Sequence, residues 1–319
     1  MTRLAFDRDL GLAREERRRL QAIRPNLECR ARLLAAIRAF FAGKGFLEVE
    51  TPVRIETPAL EDYIEAEPSG RRWLRTSPEF HMKRLLAAGY AKIFQLGPCF
   101  RPGERGARHQ PEFTMLEWYR LDSDWRKLAE DIMQLTMALA EAVMPGRPSC
   151  RFRGRALDLT PPWPRITVDE AFRRYAGADV DEACRNGSFE EILVNQVEPH
   201  LGCSQPEFLT EYPLANSGLS RAFPDRPARV ERWELYAAGL EIANACTELT
   251  DAAEQERRFQ ETADLREREG RPIYEIDQPF LNALHLGLPQ AAGVAIGVDR
   301  LVMMFCGATD IAEVIAFPQ

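Results

Sequence analysis

Two runs of strand character, residues 93–100 (IFQLGPCF) and 112–120 (EFTMLEWYR), flank the polar loop RPGERGARHQP, which holds two glycines and two prolines. The pattern predicts a long antiparallel hairpin and commits the chain around it to a sheet. Side chains alternate along a strand, so Phe113, Met115, Glu117 and Tyr119 share one face while Leu116 and Trp118 point the other way. Glu117 is thus a carboxylate among apolar neighbours, where an unpaired charge costs several kcal/mol or takes up a proton. It needs a cation: either a structural arginine such as Arg120, or the ammonium group of a ligand. The loop carries Arg101, Glu104, Arg105, Arg108 and His109. Arginines at a strand-to-loop junction suit bidentate phosphate binding, and a solvated surface turn has the same composition.

The remaining pattern is read in shorter pieces. Residues 1–24 are polar and arginine-rich, a short helix or a loose arm. Pro25-Asn26 offers a helix start with Asn26 as cap, and Leu33, Leu34, Ile37, Phe40 and Phe41 follow at helical spacing until Gly43 and Gly45. Residues 46–49 read as a short strand. Ser77-Pro78-Glu79 opens a helix reaching Leu86. An amphipathic helix covers 124–144, residues 145–165 are proline-rich like an insertion or linker, and 166–232 mix short helices with loops. A strand pattern spans 235–249, and a helix spans 250–269 with Asp251 and Glu254 set as at a capped start. Residues 293–305 read as a strand passing through Gly297 into a helix.

Two further constellations could carry chemistry. In GLEIANACTELTD, Glu241 and Glu248 are seven residues apart, which on an ideal strand puts them on opposite faces. They converge only if the chain bends or bulges around Asn244-Ala245. If they converge beside a phosphate-binding arginine they could hold magnesium; otherwise they are exposed acids. In GVAIGVDRLVMMF, Gly297 would permit close backbone approach at the strand–helix corner. Arg300 would project from the first helical turn, either to stack on a planar base or to pair with Asp299 or Glu313.

Several classes are disfavoured. With 42 basic and 49 acidic residues the net charge is −7, which does not favour a polyanionic partner. The start lacks the apolar core of a secretory signal, and Asp299 and Arg300 interrupt the longest apolar stretch, so no membrane association is expected. Seven scattered cysteines without a CxxC pair, and four histidines without HExxH, argue against a disulfide framework or a zinc site and point to a reduced cytoplasm. Neither GxxxxGK[ST] nor GxGxxG occurs, so ATP, if bound, is held by another architecture.

Taken in order, GFLEVETP (45–52), FQLGPCFRPGERGARHQPEFTMLEWYR (94–120) and GVAIGVDRL (293–301) resemble the three motifs of the class II aminoacyl-tRNA synthetase core. HMKRLL, PEFTMLEWYR and ELTD are most similar to the lysyl branch. Lysyl-tRNA synthetases precede this core with an OB-fold domain that reads the anticodon, whereas about 24 residues precede the first motif here. The chain therefore resembles the truncated paralogues that act as lysyltransferases on elongation factor P. That resemblance implies an α/β (α+β) fold with an antiparallel sheet flanked by helices, spanning 25–319 with 145–232 inserted between the second and third motifs. It also implies a homodimer built through 26–52, elongation factor P as acceptor in place of tRNA, and activation of (R)-β-lysine or lysine as its adenylate.

The roles it implies are these. Arg101 holds the α-phosphate and, with Arg300, is catalytic; Phe113 and Arg300 sandwich the adenine. Pro102, Gly103, Glu104, His109, Gln110, Ile242 and Gly297 line the ATP site. Glu241 and Glu248 bind magnesium with ATP, and Glu248 also reaches the amino acid. Ser77, Pro78, Glu79, Glu117 and Tyr119 form the substrate pocket. Ala295 stands where lysyl-tRNA synthetases tend to carry glycine, and its methyl would favour the β-isomer. The chain departs from the usual Arg-Asn-Glu with Arg101-Pro102-Gly103-Glu104, and from the usual Asn-Gly with Asn244-Ala245.

Overall fold

The computed structural model describes residues 3–319, with side chains from Leu10 onward. The arginine-rich start is helix α1 (Arg3–Ala22), running almost directly into α2 (Arg24–Gly43); Met1 and Thr2 of the expected arm lie outside the described residues. Ile23, not Asn26, occupies the α2 cap, because Pro25 fits the first turn where its missing N–H goes unused. Asn26 is inside the helix and donates from Nδ2 to the Glu313 carbonyl at 3.0 Å. Cys29, Leu33, Ile37 and Phe41, four residues apart, make the buried stripe of α2. Gly45 (φ 74°) then turns the chain into β1 (Leu47–Glu48).

A small sheet follows, made of β2 (Arg54–Ile55), β3 (Pro68–Ser69) and β4 (Arg72–Leu74), then helix α3 (Glu79–Ala87). The expected hairpin is β5 (Lys92–Phe100) and β6 (Glu112–Leu121), in register from Lys92↔Arg120 to Phe100↔Glu112. Helix α4 (Trp125–Val143) is capped by Asp124, whose carboxylate accepts from the N–H groups of Arg126 and Lys127.

The proline-rich stretch is not a mere linker. It forms the hairpin β7 (Ser149–Phe152) and β8 (Arg155–Asp158), and it feeds β9 (Arg165–Thr167) into the main sheet. Short helices α5 (Val168–Ala171), α6 (Val180–Asn186) and α7 (Phe189–Ile192) share a core with Phe172, Leu209 and Tyr212, beside β10 (Glu207–Thr210). The single strand expected over 235–249 is instead two, β11 (Arg232–Ala237) and β12 (Leu240–Thr247), turned by Ala238 (φ 50°) and Gly239 (φ 68°). Ala-Gly carries none of the Asn-Gly or Asp-Gly signal that marks such a turn in a sequence. Helices α8 (Ala252–Arg268) and α9 (Gln278–Gly287), strand β13 (Ala291–Gly297) and helix α10 (Val298–Cys306) complete the chain.

The main sheet has eight strands in the order β1-β5-β6-β13-β12-β11-β10-β9, antiparallel inside and parallel only at the two edge pairs. One face packs on α2, α4 and α10: Leu116, Trp118, Val294 and Trp233 meet Phe41, Leu128 and Leu301. Phe41 stacks on Phe94 at 4.7 Å and lies against Trp118. The opposite face carries a row set by register, Glu117–Ala295–Asn244–Glu234, across β6, β13, β12 and β11. At about 4.8 Å per strand this row is the floor of a trough. Among the described residues no helix is long and apolar enough to cross a membrane.

Candidate active site

A cavity of about 870 Å³ lies over that floor, walled by residues of α3, α8 and the 190–220 segment. Glu117 is 2% exposed, as alternation predicted. Its Oε1 accepts from Ser77 Oγ at 2.7 Å and its Oε2 from the Tyr119 hydroxyl at 2.9 Å. The structural cation considered above is absent: Arg120 turns to the other face and grips Asp131 of α4 with 2.7 and 2.8 Å bonds. Burial, reinforced by the neighbouring Glu79 charge, pushes the Glu117 carboxyl up to about 8.

Ser77 also accepts from the Glu79 N–H at 3.0 Å, so one hydroxyl fixes both the start of α3 and the carboxylate on the floor; Pro78 provides the helical turn between them. One turn along α3, Lys83 is fully enclosed, 2.6 Å from Glu79 and 2.5 Å from Glu248. Burial alone would discharge it, but the two carboxylates outweigh burial and hold its charge above the usual lysine range. The sequence reading missed Lys83. The available signal was a lysine four residues after Glu79 inside an apolar helical run.

Gly293 was also missed. A Cβ there would overlap the Tyr119 ring and stand 2.6 Å from Glu248 Oε1, so only glycine lets these two groups meet over β13. Gly297, by contrast, is not crowded: a Cβ would meet only Arg300 Cδ at 3.7 Å, and its φ of −72° suits any residue. The close-approach glycine of this strand lies four residues earlier than expected. Ala295 sits in register between Glu117 and Asn244, its methyl on the cavity wall.

Glu241 and Glu248 do line one cavity, though not through a bulge at Asn244-Ala245. The register runs Leu235↔Ala243 and then Tyr236↔Glu241, so Ile242 is the extra residue. The bulge resets the alternation, and Glu241, Asn244, Cys246 and Glu248 reach the cavity. Ile242 itself is buried in the opposite core.

At the far end of the floor, Arg300 donates to the Glu241 carbonyl at 3.0 Å and to Glu241 Oε2 at 3.2 Å. It also donates to the Arg108 carbonyl at 3.3 Å and meets His109 Nε2 at 2.5 Å. Neither Asp299 nor Glu313 is its partner, since Asp299 takes Arg30 and the Thr114 N–H. Burial, then the Arg300 charge, lowers the His109 imidazole below its ordinary range. Arg101 lies 5.3 Å from the Phe113 ring centroid and 3.8 Å from Glu104, with its buried Nε unpartnered. Arg101 thus covers the Phe113 ring. Pro102 and Gly103 (φ 82°) form the tip that follows, and the backbones of Gly106 and His109 pair to close the loop. Gln110 is buried and accepts the Gln319 N–H at 2.7 Å, tying the chain end to this loop.

An antiparallel sheet bearing an arginine-rich hairpin loop, a paired-acid strand and a strand–helix arginine defines the class II synthetase type of site. The family model for class II tRNA synthetases (D, K and N) matches residues 14–319, and the chain belongs to this family. Among its relatives, the elongation factor P–(R)-β-lysine ligase of Histophilus somni strain 2336 is 40% identical over 306 residues, covering 92% of this chain and 94% of the relative. The ligases of the same name from Yersinia enterocolitica and Salmonella gallinarum are each 39% identical, over 311 and 312 residues, with the same coverage.

Among the described residues no three His, Cys, Asp or Glu side chains come together to hold a metal. Glu241, whose side chain is 37% exposed, still offers one carboxylate, and magnesium is commonly held by one or two carboxylates together with phosphate oxygens. Glu248 fits that role less well, because Lys83 takes its Oε2.

Proposed function

We propose that this chain activates a diamino acid, (R)-β-lysine or lysine, with ATP and transfers it to the ε-amine of a lysine on elongation factor P. The observation that carries this reading is Glu117: a buried carboxyl group on the cavity floor, held by two hydroxyls and, among the described residues, paired with no cation. With Glu79 and Glu248 it makes three carboxylates, of which Lys83 offsets one charge. The carboxyl groups not offset by Lys83 are available, once ionised, as counter-charge for the ammonium groups of a diamino acid.

In the first step a substrate carboxylate oxygen bonds to the α-phosphorus in line, and the bond to the β-phosphate oxygen breaks, its electron pair leaving with pyrophosphate. Arg101, with an unpartnered Nε, is suited to the charge that grows on the α-phosphate. Phe113 would stack the adenine once Arg101 swings from its face to the phosphate, with Arg300 on the other side. Pro102, Gly103, Glu104, His109 and Gln110 shape the loop over the nucleotide, and Ile242 and Gly297 present backbone to it. Magnesium arriving with ATP would rest on Glu241 and offset phosphate charge. In the second step the acceptor amine, having lost a proton, attacks the acyl carbon; the C–N bond forms and AMP leaves. No side-chain nucleophile is needed, so catalysis is positioning and electrostatics.

Ser77, Pro78, Glu79, Tyr119, Glu248 and Ala295 complete the amino-acid pocket in this reading. The exposed Leu47 on the first-motif segment, with Val53 just after it, supports a homodimer formed there, and a reaction on a translation factor would belong to the cytoplasm. The test is ATP–pyrophosphate exchange with both lysine isomers, followed by a search for label on elongation factor P and on tRNA. Label on the protein supports the reading. Label on tRNA alone favours a free-standing tRNA ligase.

A further inference from the structure

Gln255 lies in the first turn of α8, four residues after the capping Asp251, is wholly buried, and is part of the cavity wall. Among the described residues neither its Oε1 nor its Nε2 has a hydrogen-bond partner. A buried amide left unpaired destabilises a fold, whereas an apolar side chain of the same size would not.

The surroundings define which end of the cavity this amide serves. Phe259, one turn further on, packs edge-on to Phe80 and Phe280, so this face of α8 is turned inward. Arg258 ties the helix to the loop below it, donating to Ser217 Oγ and to the Ser220 carbonyl, both at 2.9 Å. Ser220 in turn forms a backbone bridge with Glu248. The first turns of α8 and Glu248 are therefore tied together through Ser220, and both Gln255 and Glu248 line the cavity there. Glu248 Oε2 is engaged by Lys83, while Oε1 stands beside Gly293.

The geometry points to Gln255 as the far wall of the amino-acid subsite, where its amide hydrogen-bonds the distal ammonium of the diamino acid and so measures the length of the substrate chain. The assignment rests on the diamino-acid reading above and extends it to a residue of α8. A neutral amide suits this position. Glu79, Glu117 and Glu248 already supply counter-charge, so a further acceptor without charge adds selectivity without another buried acid. A substrate one methylene short would leave both the amide and its own ammonium unpaired, and sites built around a buried hydrogen bond discriminate strongly against such analogues.

The test uses the full chain with Gln255→Met, and with Gln255→Leu as a second apolar replacement. Pyrophosphate exchange is measured with lysine, (R)-β-lysine and ornithine, alongside KM for ATP and thermal unfolding. The expected result is a KM for the preferred lysine raised about tenfold or more, KM for ATP unchanged, and kcat largely retained. The preference for lysine over ornithine should shrink by a similar factor, and Tm should hold or rise, since an unpaired polar group has been removed. An unchanged lysine KM in a folded variant, or KM for ATP rising by the same factor, would overturn the subsite while leaving the proposed reaction intact. Wild-type protein that exchanges with no diamino acid would overturn both.

Discussion

Glu117 concentrates the electrostatics of the pocket in one group. Its carboxyl is held up to about 8 by burial, and an ammonium ligand binds the ionised form. Below that value a proton must first be lost, so kcat/KM for the diamino acid should rise about tenfold per pH unit toward pH 8 and flatten above it. Glu117→Gln should remove most of the affinity and the rise between pH 7 and 8, leaving the step of Glu248, whose carboxyl burial holds up to about 7; a profile still rising to pH 8 in that variant would contradict the assignment. The same shift has a stability consequence. A carboxyl whose folded value exceeds its unfolded one contributes fully below about 4.5 and loses that contribution as pH rises through about 8. Unfolding curves of Glu117→Gln should therefore gain on wild type across this window. Ala295, beside Glu117 in register, offers a second residue-scale test. Ala295→Gly should raise α-lysine activation relative to the β-isomer, one methyl being worth roughly 1–3 kcal/mol; an unchanged ratio would count against it. The isolated carboxylate was legible in the sequence because strand alternation is local. Its partners Ser77 and Tyr119 were in view as pocket residues, but Lys83 and Gly293 were not, since their roles exist only once α3 and β12 are brought over β13.

At the scale of elements, the site depends on two local irregularities. The β11–β12 bulge at Ile242 brings Glu241 and Glu248 to one cavity, and the Ser77-Pro78-Glu79 start aims α3 so that Lys83 falls between two acids. The need for a bulge could be read from the seven-residue spacing, but its position could not, because it is set by pairing with β11, a strand not separable from β12 in the sequence. Lys83→Met tests the second irregularity. It leaves Glu79 and Glu248 facing each other without a cation, and breaking a buried pair costs about 3–5 kcal/mol. A matching drop in unfolding free energy, with loss of amino-acid activation, is expected; wild-type stability would show the ion pair to be incidental. The proline-rich stretch and the short helices after it were the least legible elements, having no long periodic run, yet they supply β9, β10 and one wall of the cavity.

Over the whole molecule, a sheet packed on one face and open on the other carries an acidic pocket, with an arginine-bearing loop on the β5–β6 hairpin that supplies its Glu117. The fold class was legible because three long segments carry its strands and corners in order. The self-association expected through the first-motif segment is checked by light scattering of wild type against Leu47→Lys, which should shift a dimer toward monomer. The central claim, that this trough joins a doubly aminated acid to AMP and passes it to a protein lysine, is tested most directly by one two-stage measurement. Labelled (R)-β-lysine or lysine is supplied with ATP, and label is followed into elongation factor P. Exchange of pyrophosphate together with ATP-dependent labelling of the factor, both lost in Arg101→Ala, is the predicted result. No exchange with either isomer, or exchange without labelled factor, would contradict it.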